Sequence, residues 1–509
     1  MPQPIADVKP IPPTRTRWLL PLRGLVVAVA LFSAGDWLRT VAVRASDPYP
    51  MEWMEGAIVA HTFRWLDGQS IYPPPSGDFI PTVYPPFGYV VQGMAMRILG
   101  RGLPAARWAS VTATLGIALL MGVVVHRRTR SLLAAVAIAG VFLDAYAACG
   151  SWYDQARNDM IFLCLGLGSL VWVTRERLTA ISTAGSAILL SLAILTKQQG
   201  LLVLPLGFLY LLPRSRRHAF AYAAIAVLIP AVAVILLQRQ TDGWFLFYTW
   251  TSLHNYPLHL GRVPEILGKL AANLWIPLLC AGVWLLASMR RHRNPLAGLF
   301  SIWTLALGLF LASAVSSMLK EGGYVNHFVP VVIFALIPGG FLVGELNRDE
   351  RRPLVLAVIL ALIVVQFLIW PHPSAARWQP NVRAAQRHVV QEIAAMPGDV
   401  LVLEDAYYGW LAGKKLNADG GSLFWLSFIG LDLPPDLVDK ITSTRYSAVV
   451  LSHRVEEGMH ARTHSARRLN HLINDHYVFT RALIPEDKKI QWLRVPRYLY
   501  WPRTAPLVP

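Results

Sequence analysis

Four short runs of the sequence hold side chains whose types and spacing could do chemistry. The first, SDPYPMEWMEG, carries Asp47, Glu52 and Glu55. Glu52 and Glu55 are three residues apart, so in a helix they share one face. Two acids on one face can bind a metal ion, or one can act as a general base while the other tunes it. The plain alternative is the solvated face of an interfacial helix. The second run, SWYDQARNDM, packs Asp154, Arg157 and Asp159 into six residues. The planar fork of Arg157 suits a phosphate, and Asp159 could hold Arg157 or serve as a second acid. A structural Arg–Asp pair with helix capping fits equally well. The third run, LTKQQG, sets Lys197 between two apolar stretches. A lysine there suits an anionic headgroup or pyrophosphate, or it simply snorkels to the interface. The fourth, KEGGYVNHF, gathers Lys320, Glu321, Tyr324, Asn326 and His327. Its paired glycines permit close approach, although a lone histidine at a helix end is often only structural.

These runs must be positioned by a chain built for lipid. Of its 509 residues, 54% are hydrophobic and 15% charged, against about 25% charged in a typical soluble domain. Stretches 19–35, 218–237, 296–316, 327–344 and 353–370 are about as long as the roughly 20 apolar residues a bilayer-crossing helix needs. The net charge of +17 lies mostly in loops between apolar segments. That reads as a cytoplasmic topology signal; no basic run is interleaved with stacking aromatics, so nucleic acid is not an expected partner. Cys149, Cys164 and Cys280 lie in or beside apolar stretches, which points to packing rather than a disulfide framework. Residues 1–13 are proline-rich and Arg15, Arg17 and Arg23 surround the first apolar stretch, read as an uncleaved first helix.

Helices are expected at 19–42, 104–125, 131–149, 159–174, 179–196, 199–212, 218–237, 271–289, 296–316, 327–346 and 353–370, about eleven spans. Segment 84–100 is the ambiguous one, and charge decides it. If it does not cross, Arg127/Arg128/Arg130, Arg175/Arg177, Arg214/Arg216/Arg217, Arg290/Arg291/Arg293 and Arg348/Arg351/Arg352 all fall on the N-terminal, cytoplasmic side. It is therefore read as an amphipathic juxtamembrane helix. Loops 43–103, 149–158, 238–270 and 317–326 then face outward, as does 371–509. That last segment should form a small α/β domain, with a helix near 376–396 and strands at 400–404, 447–452, 477–483 and 491–499. It has no nucleotide-binding glycine loop.

Taken together, acids, cations and hydrogen-bonding groups from several helices gather at one face, as a cavity for a lipid-linked substrate with an anionic head would require. In the same order along the chain, the sequence resembles bacterial members of the GT-C superfamily, multi-span glycosyltransferases that use polyprenyl-phosphate sugars. EWMEG matches an acid-x-x-Glu-Gly start (Glu52, Glu55, Gly56), DGQSIYPP a Gly-x-x-Ile/Leu-Tyr turn (Gly68, Ile71, Tyr72) and YPPF a Tyr-Pro-Pro helix (Tyr84, Pro85, Pro86). ARND, TKQQG and GGYVNHF resemble later segments, giving Arg157 and Asp159; Thr196, Lys197 and Gln198; and Gly322, Gly323, Asn326, His327 and Phe328. EDAYYGWLAGKKLNADG is similar to the opening of that superfamily's outer C-terminal domain. One feature departs from the protein O-mannosyltransferases and aminoarabinose transferases, whose loop holds an adjacent Asp-Glu pair.

The resemblance implies a transmembrane domain over 1–370, with juxtamembrane helices in loop 43–103, and a soluble outer domain over 371–509. It implies sugar transfer from a polyprenyl-phosphate donor to a hydroxyl of a glycan, lipid or protein, at the outer face of the bacterial inner membrane. Glu55, then Glu52, then Asp47 is the order of preference for the base. Arg157, Asp159, Lys197, Tyr84, Asn326 and His327 are the substrate-binding candidates. Some members use a divalent metal and others do not, so the resemblance implies no certain cofactor and leaves a divalent metal open. A transporter or flippase of lipid-linked sugars is the rival reading, but no internal repeat appears.

Overall fold

The computed structural model describes residues 17–291, 301–349, 351–377, 380–459, 461, 463–485 and 495–503. Most of them are helical, because a chain in hydrocarbon can satisfy its backbone N–H and C=O groups only internally. Helices α1 (Leu20–Ala45), α2 (Trp53–Leu66), α3 (Phe87–Leu99), α4 (Leu103–Thr129), α5 (Leu132–Asp144), α6 (Asp159–Val173), α7 (Ala180–Ile194), α8 (Val203–Leu211) and α9 (Arg216–Gln240) lead into the middle of the chain. There α10 (Val263–Arg291), α11 (Ile302–Met318), α12 (Phe328–Arg348) and α13 (Pro353–Ile369) follow. Each expected span thus contains a helix; residues 296–300 and Arg293 lie outside the described residues. Among the described residues, six candidate membrane spans are long and apolar enough to cross a bilayer, beginning at Arg17, Leu103, Arg216, Leu260, Val325 and Pro353. Helices α5, α6, α7 and α11 are apolar but shorter than 18 residues.

Helix α12 sits at the centre, packed against α4, α5, α10, α11 and α13. Almost its whole length is buried, so it reads as apolar on every side. A side chain at Gly340 would collide with Val125 of α4 and Ile138 of α5. Small residues of this kind let helix backbones approach closely where no hydrophobic effect drives them together. The starts of α5 and α7 are capped by side chains: Ser131 accepts Ala134 N–H, and Thr179 and Ser182 form a reciprocal capping box.

Between α1 and α4 the chain makes a long excursion containing α2 and α3. Helix α3 has 13 residues, about 20 Å at 1.5 Å per residue, well short of a roughly 30 Å hydrocarbon core. It is amphipathic: Tyr89, Gln92 and Met96 are buried while Met94, Ile98 and Leu99 are exposed.

The C-terminal part carries α14 (Pro380–Ala395), β1 (Val400–Val402), α15 (Tyr407–Leu411), α16 (Gly420–Leu426), α17 (Pro435–Thr442), β2 (Ala448–Leu451), α18 (His464–His476), β3 (Tyr477–Ala482) and β4 (Tyr498–Pro502). The sheet order is β1-β2-β4-β3, with β1 and β2 parallel and the other pairs antiparallel. The last strand lies at 498–502, later than the expected 491–499; residues 491–494 of that expectation lie outside the described residues. Strand residues alternate between two cores, Leu401, Val449 and Tyr500 on one face and Val400, Val450 and Leu499 on the other. Both faces are covered, so these strands are apolar throughout rather than alternating.

The sheet unit is held to the α1–α4 excursion by charge. Asp78 meets Lys415 at 2.7 Å and Lys440 at 2.8 Å, and Arg383 meets Asp47 at 2.6 Å. Ile80 of the excursion is buried in the core around Leu401 and Leu437.

Candidate functional site

The two acids at the start of α2 have opposite surroundings. Glu55 is fully buried. Its Oε1 accepts Arg107 Nε at 2.9 Å and Ala156 N–H at 2.8 Å; its Oε2 accepts Arg107 Nη2 at 2.7 Å and Met51 N–H at 2.7 Å. Four donors fill the acceptor capacity of a carboxylate. Burial opposes its charge, but Arg107 and the two amides outweigh that and hold its pKa below the usual range. Arg107 lies near the N-terminal end of α4, and its other donors reach the carbonyls of Asp47 and Tyr49. Glu55 and Arg107 therefore pin the 47–56 turn to α4.

Glu52, the residue before α2, has a side chain that is still 14% exposed. Its Oε2 accepts Arg157 Nη1 at 2.9 Å. Burial pushes its pKa up, Arg157 opposes this, and neighbouring Glu55 adds to the rise. Asp47 faces away from both: it accepts Tyr49 N–H and Arg383 Nε.

Arg157 sits where α6 is about to begin. Its Nη2 donates to the Tyr84 hydroxyl at 2.9 Å, and its guanidinium lies 4.6 Å over the Trp152 ring. Asp159, the first residue of α6, accepts Lys197 Nζ at 2.8 Å and Asn326 Nδ2 at 3.1 Å, and lies 3.8 Å from Arg157 Nε. Lys197 precedes the turn into α8, and Asn326 and His327 precede α12. Residues from four separate helix ends thus meet in one network.

A cavity of about 1170 Å³ opens beside this network. Glu52, Tyr84, Arg157, Lys197, Asn326 and His327 line it. Asp159 lies directly behind Arg157 and Lys197. Glu55 and Asp47, first and third in the expected order of bases, do not line it; Glu52 does. Sequence reasoning passed over other lining residues: His259 and Arg262 in the turn before α10, and Trp425 in α16. Arg262 donates to the Lys320 and Gly323 carbonyls, and Lys320 Nζ to the Leu253 carbonyl. These two cations touch backbone oxygens, unlike Arg157 and Lys197, which touch carboxylates. A basic residue in the long 241–262 connection was the one signal available. Among the described residues, no three His, Cys, Asp or Glu side chains converge as a metal site.

The network can hold an anion beside an acid that reaches the cavity. Cations at hydrogen-bond range stabilise a phosphate oxygen, and a partly desolvated carboxylate can take a proton from a hydroxyl.

No protein-family model matches the chain. Over 110 residues it is 30% identical to the D-serine transporter DsdX of Escherichia coli K12 and of E. coli O6:H1, covering 22% of this chain. The chain spans about a fifth, 21%, of the length of these curated relatives. Likeness of fold is far more extensive. ArnT from Cupriavidus metallidurans, solved bound to undecaprenyl phosphate, aligns with TM-score 0.59 and 12% identity over 94% of this chain and 98% of its own. Its apo form aligns with TM-score 0.58 and 14% identity, over 94% and 97%. The Archaeoglobus fulgidus oligosaccharyltransferase in its apo form aligns with TM-score 0.50 and 12% identity, over 91% of this chain and 73% of that one. At these identities the alignments speak for architecture alone: the chain shares the fold of the ArnT and oligosaccharyltransferase structures.

Proposed function

We propose that the protein is a glycosyltransferase of the inverting GT-C type, moving a hexosyl or pentosyl group from a polyprenyl-phosphate donor to a hydroxyl acceptor. In this reading the membrane domain spans 1–370 with about eleven crossings, and 371–509 is a soluble extracytoplasmic domain. The N-terminus is cytoplasmic and the site faces outward from the bacterial inner membrane. Supporting this orientation are the Arg clusters, which fall together on the opposite side when the short helix α3 does not cross.

One observation carries the reading: Glu52 lines a cavity that also holds Arg157 and Lys197. A neutral hydroxyl is a poor nucleophile, so a base must take its proton as it attacks the anomeric carbon. Glu52 is the base we favour, because Glu55 has no lone pair to spare. Bond breaking leaves a polyprenyl phosphate whose charge the cations receive. Arg157 and Lys197 bring cations held in fixed positions beside Glu52. Tyr84, Asp159 and Asn326 orient the cations, and His327 borders the same space. The DsdX match is too short to supply a transporter fold, so transport of lipid-linked sugars is the lesser reading.

The test is to reconstitute the full chain with polyprenyl-phosphate sugars and follow release of free polyprenyl phosphate. The reading expects release by wild type and its loss in Glu52→Gln. Labelled lipid crossing the bilayer with no sugar transferred would favour transport instead.

A further inference from the structure

The cavity has a second wall whose chemistry differs from that of the Arg157–Lys197 network. It is made by the turn before α10, the turn after α11, and α16 of the C-terminal part. The two turns are zipped together by backbone: His259 N–H donates to the Leu319 carbonyl at 2.7 Å, and Glu321 N–H to the Pro257 carbonyl at 2.9 Å. Leu258 and Lys320 form an antiparallel bridge. On this rigid support the His259 ring nitrogen Nε2 lies 2.6 Å from Glu321 Oε2. The two side chains are 39% and 30% exposed. Among the described residues, neither His259 Nδ1 nor Glu321 Oε1 has another hydrogen-bond partner.

Beside this pair stands an aromatic surface. Tyr256 stacks on Trp425 with ring centroids 4.5 Å apart and planes 15° from parallel. Gly322 adopts φ +75°, and a Cβ there would lie 2.8 Å from the indole. The turn and the indole therefore fix each other. Ser422 of α16 completes the wall.

We propose that this wall is the acceptor subsite and that the acceptor presents a sugar ring to it. The proposal rests on the transferase reading and names its acceptor class. A sugar has apolar C–H faces and a rim of hydroxyls that both donate and accept. The wall offers aromatic surface for the former and, in His259–Glu321, a donor–acceptor pair for the latter. An isoprenoid tail here would leave His259 Nδ1 and Glu321 Oε1 desolvated and without a partner, which is costly. A peptide would seek a free strand edge, but the two turns spend their backbone groups on each other. The cavity thereby has an anion-holding side for the donor and a sugar-holding side for the acceptor, with Glu52 lining the same space.

Saturation-transfer NMR on the full chain, reconstituted with undecaprenyl phosphate, tests this. The probes are methyl glycosides of glucose, mannose, galactose and arabinofuranose, with acetyl-serine amide as the peptide probe. At least one glycoside should bind wild type. Its Kd should rise about ten-fold or more in Glu321→Gln and in Trp425→Ala, the scale of losing a hydrogen bond to a charged group or a packed aromatic. Undecaprenyl-phosphate binding should persist in both variants, showing that they are folded. Glu52→Gln should still bind the glycoside. The proposal is overturned if no glycoside binds, if both variants bind it as wild type does, or if only the serine probe depends on Trp425. Glycoside binding that depends on the wall, in a protein that releases no polyprenyl phosphate from any donor, would uphold the sugar subsite and sink the transferase reading.

Discussion

Glu52 and Glu55 are the same residue type one helical turn apart, yet one is saturated and the other reaches the cavity. The spacing EWMEG showed that both would lie at a helix start. It could not show which one Arg107 claims, because Arg107 lies 52 residues away on another helix. Hence the sequence preference for Glu55 as base and the structural preference for Glu52. Arg157, Asp159 and Lys197 were legible because cations and acids beside apolar runs are costly unless used or paired. His259 and Trp425 were not, since nothing local marks a residue whose partner comes from another turn. Removing one member of the buried Glu55–Arg107 pair strands the other charge. Glu55→Gln or Arg107→Ala should therefore destabilise by about 3–5 kcal/mol, read as a large fall in melting temperature in detergent. A variant that melts like wild type but has lost activity would make Glu55 a reacting group instead.

At the level of elements, length and apolarity located the helices. Segment 84–100 was harder, because its composition suits either crossing or lying flat. Charge on distant loops chose the second, and the 13-residue length of α3 is consistent with it. The close packing of α3 on α2 was not legible. Gly93 leaves no room for a Cβ against the Trp65 ring, and a glycine within a helix is more often a neutral weakness than a contact. Gly93→Ala should cost about 1–3 kcal/mol through overpacking, whereas Gly24→Ala, open on all sides in α1, should be neutral or stabilising. Equal melting temperatures for the two variants would contradict the packing. The late strand at 498–502 was misplaced because pairing with β2 and β3, not local propensity, decides where it starts.

For the molecule as a whole, the junction between the C-terminal part and α2 is its least expected feature. Asp405 rests on the Cα of Gly56, next to Glu55, and a side chain at 56 would collide with Asp405 and Tyr407. Burial raises the pKa of Asp405 well above 3.8, and Asp419, Glu55 and Glu52 add to the rise. An acid with a raised folded pKa has its full stabilising effect below the unfolded value and loses it as pH climbs toward the folded one. Asp405→Asn should therefore melt higher than wild type at pH 7, with the gap closing toward pH 4. A gap that is constant with pH would mean Asp405 is charged and paired. Topology has its own measurement. In a background lacking Cys149, Cys164 and Cys280, Arg128→Cys should resist membrane-impermeant thiol reagents added outside intact cells. Labelling from outside would put the Arg clusters, and with them the cavity, on the wrong faces.

The central claim is that Glu52 takes the acceptor proton beside cations that receive the leaving phosphate. Its most direct test is the pH dependence of polyprenyl-phosphate release by the reconstituted protein, wild type against Glu52→Gln. Wild-type kcat/KM should rise with pH along a limb lying above the usual carboxylate range, since Glu52 acts only when ionised and burial raises its pKa. Glu52→Gln should lose about 10²–10⁴-fold, lose that limb, and keep its melting temperature and its affinity for undecaprenyl phosphate. A Glu52→Gln protein that releases polyprenyl phosphate at the wild-type rate, with the same limb, would contradict the account.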